Sequence, residues 1–232
     1  VFYPYNVAND EFYAKYQSSF IPLRVPEAWD ITTGSKKVTV AIVDSGLDLN
    51  HPDIAPNLWI NPAEIYNDID DDGNGIIDDI NGLDAVTQTS LASQLPDCNG
   101  HGTHVAGTIA AAGNNGIGVA GISWNANILP IRALNCEGAG ESFYYDLSTV
   151  AFGYAYIADL KSRRGINIQI LNLSLGSETP SSVDLELLRR LRDLNILVVT
   201  AAGNEEVNND VVPSYPSNYD LDNIISVASF AP

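Results

Sequence analysis

Two hydrophobic periods alternate along this chain. Short β-branched or aliphatic runs at residues 38–43, 127–132, 168–175, 196–200 and 224–227 each predict a buried strand. The first ends on Asp44-Ser45-Gly46, the third at Gly176, and the fourth at Gly203. Between them lie helical patterns. Residues 103–112 are small and apolar, which suits a buried helix. Residues 144–161 carry Leu147, Val150, Ala151, Tyr154 and Ala158 as one stripe. Residues 182–194 open on Pro180-Ser181-Ser182, with Asp184 and Glu186 where the helix dipole favours acids. Leu185, Leu188, Leu191 and Arg192 form the inner face of that helix. Strands that alternate with helices require crossover connections. The predicted fold is therefore a three-layer α/β domain with a mostly parallel central sheet and helices on both faces. In such sheets function gathers at the carboxyl ends of the strands. Asp44, residues 174–176 and Asn204 all fall at such ends.

Composition narrows the partners. The 232 residues carry 29 acids against 11 bases, a net charge of -18, with 45% hydrophobic residues. That is a folded composition, and its acidity argues against nucleic acid or an anionic membrane as partner. No apolar run approaches a membrane span of roughly 20 residues. The first residue is Val1, and the start has no basic-then-apolar leader, so it reads as a processed end. The charge is unevenly placed. Residues 38–131 contain no Lys or Arg but twelve acids, six of them within residues 68–79. Such crowding is either a solvated acidic loop or a cation site.

Three segments carry candidate chemistry. Asp44 at a strand end is either a turn former or a catalytic acid, because a carboxylate there is costly unless bonded or paired. His101 and His104 lie in Asn99-Gly100-His101-Gly102-Thr103-His104. They are either metal ligands or one catalyst and one structural residue, but metal pairs on helices prefer a spacing of four. Asp plus His suggests an acid that orients an imidazole acting as general base. Asn204, after Gly203, is either a turn residue or a side-chain donor at the edge of the sheet.

Together these segments resemble the subtilisin-like serine proteases, the subtilases. The matching pieces are Ala41 to Gly46, His51-Pro52-Asp53, Gly100 to Thr108, Asn172 to Gly176, and Ala201 to Asn204, in the family's order. The resemblance implies that Asp44 is the triad acid, His101 the general base, Asn204 the oxyanion-hole donor, and His104 structural. It implies a peptide bound as an added strand between Gly138-Ala139-Gly140 and Ser174-Leu175-Gly176, with Ala201 and Gly203 nearby. Ser214 and Ser217 would line the first specificity pocket, and neither favours a basic substrate. One departure stands out. The family's nucleophile lies after the asparagine, in a Gly-Thr-Ser segment, and the 28 residues after Asn204 contain none. Ser123, Ser142 and Ser177 lack the flanking pattern and precede Asn204. The serine is therefore expected on a missing segment or on a companion C-terminal polypeptide.

Residues 68–79 fit a calcium-loop pattern, with acids at positions 1, 3, 5 and 12 and Gly73 at position 6. Asp68, Asp70, Asp72, Asn74 and Asp79 are the expected ligands. No flanking helices are evident, so residues 61–84 read as a calcium-binding insertion within one peptidase domain spanning 1–232. The resemblance implies a second calcium site from Asp53, Asn115 and the carbonyls of Ile117 and Val119. By family topology Cys98 and Cys136 lie near one cleft, which implies a disulfide and suits a secreted protein. A propeptide inhibitor is also implied. The expected function is that of a secreted, calcium-stabilised serine endopeptidase. The alternatives are a non-catalytic relative that binds peptides through the same groove, and a calcium-binding structural module.

Overall fold

The computed structural model describes residues 7–91, 97–135 and 144–229. In chain order the main elements are helices α1 (Tyr13–Tyr16) and α2 (Val25–Trp29), strands β1 (Thr39–Asp44), β2 (Leu83–Asp84) and β3 (Thr89–Ser90), and helix α3 (His101–Ala110). Strands β4 (Asn127–Arg132), β5 (Leu134–Asn135) and β6 (Tyr144–Tyr145) follow, then helix α4 (Leu147–Arg163) and strand β7 (Ile168–Leu173). Helix α5 (Ser182–Asp193) and strands β8 (Leu197–Ala201) and β9 (Ile224–Val227) complete the set. Seven strands form one sheet in the order β3-β2-β4-β1-β7-β8-β9, parallel except for the β2–β3 hairpin at one edge. The antiparallel pair β5–β6 stands apart.

Strand β1 is buried along its whole length because both faces are covered. Ala41 and Val43 pack into the larger core with Val150, Tyr154 and Ile157 of α4 and Leu188 and Leu191 of α5. Val40 and Ile42 face the other way, against Ala106 and Ala110 of α3. The period-two alternation thus feeds two cores at once, which is why the run reads as continuously hydrophobic. A third small core joins Tyr13, Phe20, Val25 and Trp29 to Ala120.

Two helix starts and one helix face differ from the sequence expectation. The third helix begins at His101 rather than residue 103, because Gly100 at φ +84° turns the chain directly into it. Residues 144–145 are strand, and α4 starts at Leu147, where Asp146 accepts the Ser148 N–H as N-cap. On α5 the buried face is Asp184, Leu188 and Leu191, with Leu185 only half-buried. An acid occupies the place expected of an apolar residue.

Successive connections carry β1 to β4 on one side and β4 to β7 on the other. β1 therefore lies at the switch point of the sheet, where a crevice opens at the carboxyl ends of the strands.

Candidate functional site

Asp44 is the last residue of β1, and its side chain is only 1% exposed. His101 begins α3, and its ring is 45% exposed. His101 Nδ1 lies 2.7 Å from Asp44 Oδ1. The same oxygen accepts the Ser45 N–H at 2.7 Å and the Tyr145 hydroxyl at 3.3 Å. Burial, then the neighbouring Asp44 charge, pushes the Tyr145 hydroxyl far above its ordinary range, so it stays a donor. Asp44 Oδ2 is buried and accepts no hydrogen bond from the described residues. A carboxylate placed so can steady an imidazolium, and the ring it holds stays nearly half open to solvent.

Two features bring β1 and α3 this close. Gly102 is buried, and a Cβ there would run into the Gly46 carbonyl oxygen, so only glycine permits the approach. Asp97 then ties the two elements together. Its Oδ1 accepts the Ser45 hydroxyl at 2.7 Å and the N–H groups of Gly100 and Asn99 at 2.8 and 3.1 Å. Its Oδ2 accepts the Thr103 N–H and hydroxyl at 2.8 and 2.6 Å. The Ser45 oxygen in turn accepts the Gly102 N–H at 2.8 Å. Burial alone would raise the Asp97 carboxyl, but its bonds to Thr103, Ser45 and Gly100 outweigh that and hold it below the ordinary range. Sequence reading missed this role. The available signal was an acid four residues before His101, placed to bond the free N–H groups of a helix start.

Asn204 is exposed just past β8, and its N–H donates to Glu205 Oε2 at 2.7 Å. It lines a cavity of about 170 Å³ with Ser174, Leu175, Gly176, Gly203 and Ser214. Ala201 lines it as well, whereas Ser217, expected there, does not; its hydroxyl donates to the Ser214 carbonyl at 2.8 Å. His104 is exposed on the next turn of α3, away from Asp44. Gly138, Ala139, Gly140, Ser142 and Cys136 lie outside the described residues. Cys98 Sγ lies 3.8 Å from the Ser45 carbonyl, and no cysteine among the described residues is free.

A profile of the subtilase family matches residues 35–232. The chain belongs to the subtilase family. It is similar to thermitase of Thermoactinomyces vulgaris, 33% identical over 221 residues that cover 95% of this chain and 64% of that protein. It is also similar to the extracellular basic protease of Dichelobacter nodosus, 30% identical over 241 residues covering 99% of this chain and 39% of the relative. Among solved structures, proteases from Pseudoalteromonas arctica match with a TM-score of 0.73 and 28% identity over 97% of this chain and 66% of theirs. The subtilase chain described here thus spans less than two thirds of the length of these relatives.

The acidic loop of this subtilase is built differently from its sequence pattern. Ligand-capable oxygens of Glu64, Asp70 and Asp72 lie within 4.8 Å of one another. Asp68, expected first among the ligands, is not part of that group; it is exposed at φ +61°, and its N–H donates to Asp78 Oδ2 at 3.0 Å. Glu64 stands in its place, which no local motif announced. Asp79 is fully buried and accepts Asn74 Nδ2 at 2.8 Å, Asn61 Nδ2 at 2.9 Å and the Tyr156 hydroxyl at 2.6 Å. Burial pushes the Asp79 carboxyl up to about 6, against those three bonds. Arg164 bonds the Asp72 carbonyl and reaches its carboxylate at 3.9 Å. An all-oxygen donor set with crowded carboxylates fits a hard divalent cation.

The second expected cation site also converges. Asp53 is fully buried; its oxygens accept Asn115 Nδ2 and the Val119 N–H, both at 2.9 Å. The Asn115 side-chain oxygen, expected to face the ion, instead accepts the Ile117 N–H at 2.8 Å. Asp10 joins from the N-terminal segment, as sequence reading did not foresee. Its Oδ2 accepts the Asn114 N–H at 2.7 Å, while its buried Oδ1 has no partner. Burial, with a smaller contribution from Asp53, raises the Asp10 carboxyl. At Gly118, φ +51°, a Cβ would fill the space against Asp53 Oδ2. An orphaned buried oxygen beside a second carboxylate fits a cation here too.

Proposed function

We propose that this subtilase hydrolyses peptide bonds through an acyl-enzyme. The observation that carries this reading is the 2.7 Å contact of buried Asp44 with half-exposed His101 at the switch point of the sheet. His101 takes the proton of a serine and returns it to the leaving amine. Asp44 fixes the imidazole with Nδ1 protonated and steadies its positive form. Asn204 donates to the oxyanion. The peptide lies as an added strand along Ser174, Leu175 and Gly176, opposite Gly138, Ala139 and Gly140. The nucleophilic serine lies outside the 232 residues, on the same polypeptide or on a companion one.

Calcium serves structure. Glu64, Asp70, Asp72, Asn74 and Asp79 hold one ion within an insertion at residues 61–84. Asp53 and Asp10, with Asn115 and the loop carbonyls of Ile117 and Val119, hold a second. Cys98 pairs with Cys136, in keeping with a secreted protein, and the Dichelobacter relative is by name extracellular. A propeptide that occupies the groove before activation fits the same reading. Among the described residues, no helix is long and apolar enough to cross a membrane.

A fluorophosphonate probe tests the chemistry. Labelling of a serine that is lost in His101→Ala supports the acyl-enzyme reading. A complete absence of label, with every polypeptide accounted for by mass, would sink it in favour of a peptide-binding relative without catalysis.

A further inference from the structure

The groove beside residues 174–176 continues away from Asn204 into a second cavity of about 530 Å³. Its walls include Tyr145, Leu147, Val150, Leu175 and Pro180, an apolar lining of the kind that receives a substrate side chain. Serine and threonine side chains line its rim, and two further polar residues of its wall are deeply buried. Asp184 of α5 is 6% exposed and Tyr154 of α4 is 1% exposed. The Tyr154 hydroxyl makes no hydrogen bond of good geometry. The Tyr219 hydroxyl beside Asp184 also donates to the Ser181 carbonyl at 3.0 Å and accepts the Ser181 N–H at 2.8 Å. Among the described residues no Lys, Arg or His forms an ion pair with Asp184.

A helix start alone explains an acid at this position, because the Asp184 N–H is capped by Ser181 Oγ at 3.3 Å. It does not explain an acid turned inward. First-turn acids gain the same dipole benefit when exposed, and burial of an unpaired carboxylate is costly. Burial indeed pushes the Asp184 carboxyl up, and the neighbouring Tyr219 and Tyr154 hydroxyls offset only part of that. An apolar shaft that ends in a carboxylate no cation faces matches a side chain that is greasy along its stem and cationic at its tip.

We propose that this cavity is a specificity subsite for a lysine or arginine side chain of the bound peptide, with Asp184 as counter-ion and Tyr154 as a second polar contact. The inference rests on the peptide-binding half of the function proposed above. The sequence reading, which weighs only Ser214 and Ser217 of the first pocket, offers no argument for a basic preference.

Binding separates this inference from catalysis. In the full-length protein carrying His101→Ala, peptides are not consumed. A fluorescence-anisotropy panel varies one position at a time among arginine, lysine, norleucine and glutamate. At one position the basic peptides should bind about tenfold or more tighter than norleucine, as a charge-assisted hydrogen bond provides. Asp184→Asn should erase that advantage while leaving norleucine affinity unchanged. Leu147→Lys, at the half-exposed mouth, should also erase it by placing a cation there first, which keeps the test alive if Asp184→Asn folds poorly. The proposal is overturned if no position prefers a cation, or if the preference survives both substitutions. Cleavage by the unmodified protein is scored separately. A cation preference without any cleavage leaves the subsite standing and defeats the peptidase reading.

Discussion

The corner around Asp97 and the loop at residues 64–79 use the same residue type to opposite ends. In the corner one carboxylate faces donors on every side: two hydroxyls and three backbone N–H groups surround Asp97. Its charge is satisfied by the protein alone, and the result is a fixed distance between two elements. In the loop, Glu64, Asp70 and Asp72 turn oxygens toward one another, with Arg164 as the basic neighbour. Neutral loop amides bond these oxygens too, from the N–H groups of residues 72–75 and 78 and the side chains of Asn61 and Asn74, but three converging carboxylates face a single Arg, and the excess negative charge is left to a cation. Stability should thus be independent of added ions in the corner and dependent on them in the loop.

The sharpest separation comes from chemistry. Asn204→Ala should lower kcat by about 10²–10³, the range known for the oxyanion-hole asparagine of subtilisin, with little change in melting temperature. Steady-state kinetics on a peptide substrate measure it, and an equal loss from a loop substitution would blur the distinction. Next, Asp97→Ala should cost roughly 3 kcal/mol of stability, since five donors, the buried Ser45 hydroxyl among them, lose a charged partner at once. Denaturant unfolding in excess calcium reads this. The far-downfield proton resonance of His101 Nδ1 should weaken in the same variant, because Asp97 holds the histidine's helix against β1. A chelator should then remove about 2.7 kcal/mol for each site kept at a hundred times its calcium dissociation constant. Glu64→Gln should shrink that difference, and a melt unchanged by chelator would count against both cation sites. The smallest effect is acid sensitivity. Asp97 is depressed in the folded state, so its stabilisation is complete above its unfolded value and drains away as pH falls through the lower folded one. Asp97→Asn should therefore flatten the stability profile below about pH 4, and should do so in chelator as well as in calcium, because the Asp97 contribution needs no ion.

What was legible in the sequence followed local pattern. The strands at 127–132 and 224–227 agree with the hydrophobic runs, and β1 is displaced by one residue. Asp44 and His101 stood out because strand ends and helix starts concentrate reactive groups, and the fold brings them within a hydrogen bond. The residues missed are those whose partners are distant in the chain. Asp10 meets Asn114 across 104 positions, and neither segment has a period that foretells it. Glu64 joins Asp70 and Asp72 only because the loop folds back, which a twelve-residue pattern cannot encode. Asp184 was read as a dipole acid in a helix's first turn, yet packing turned it toward a cavity, because two helices cover that face of the sheet. The β2–β3 hairpin escaped notice because two-residue strands carry too few side chains to show alternation.

The contact between Gly102 and Gly46 gives position 102 an unusual status for protein engineering. Even alanine there would drive the start of α3 away from the turn after β1, and His101 would leave with it. A library that randomises the neighbourhood of the histidine should recover only glycine at 102 among active clones, while exposed Asn99 two positions before the histidine accepts many residues. The spacing of the reactive pair is set there by an atom that is missing, and selection for activity would reveal it as a vacant column.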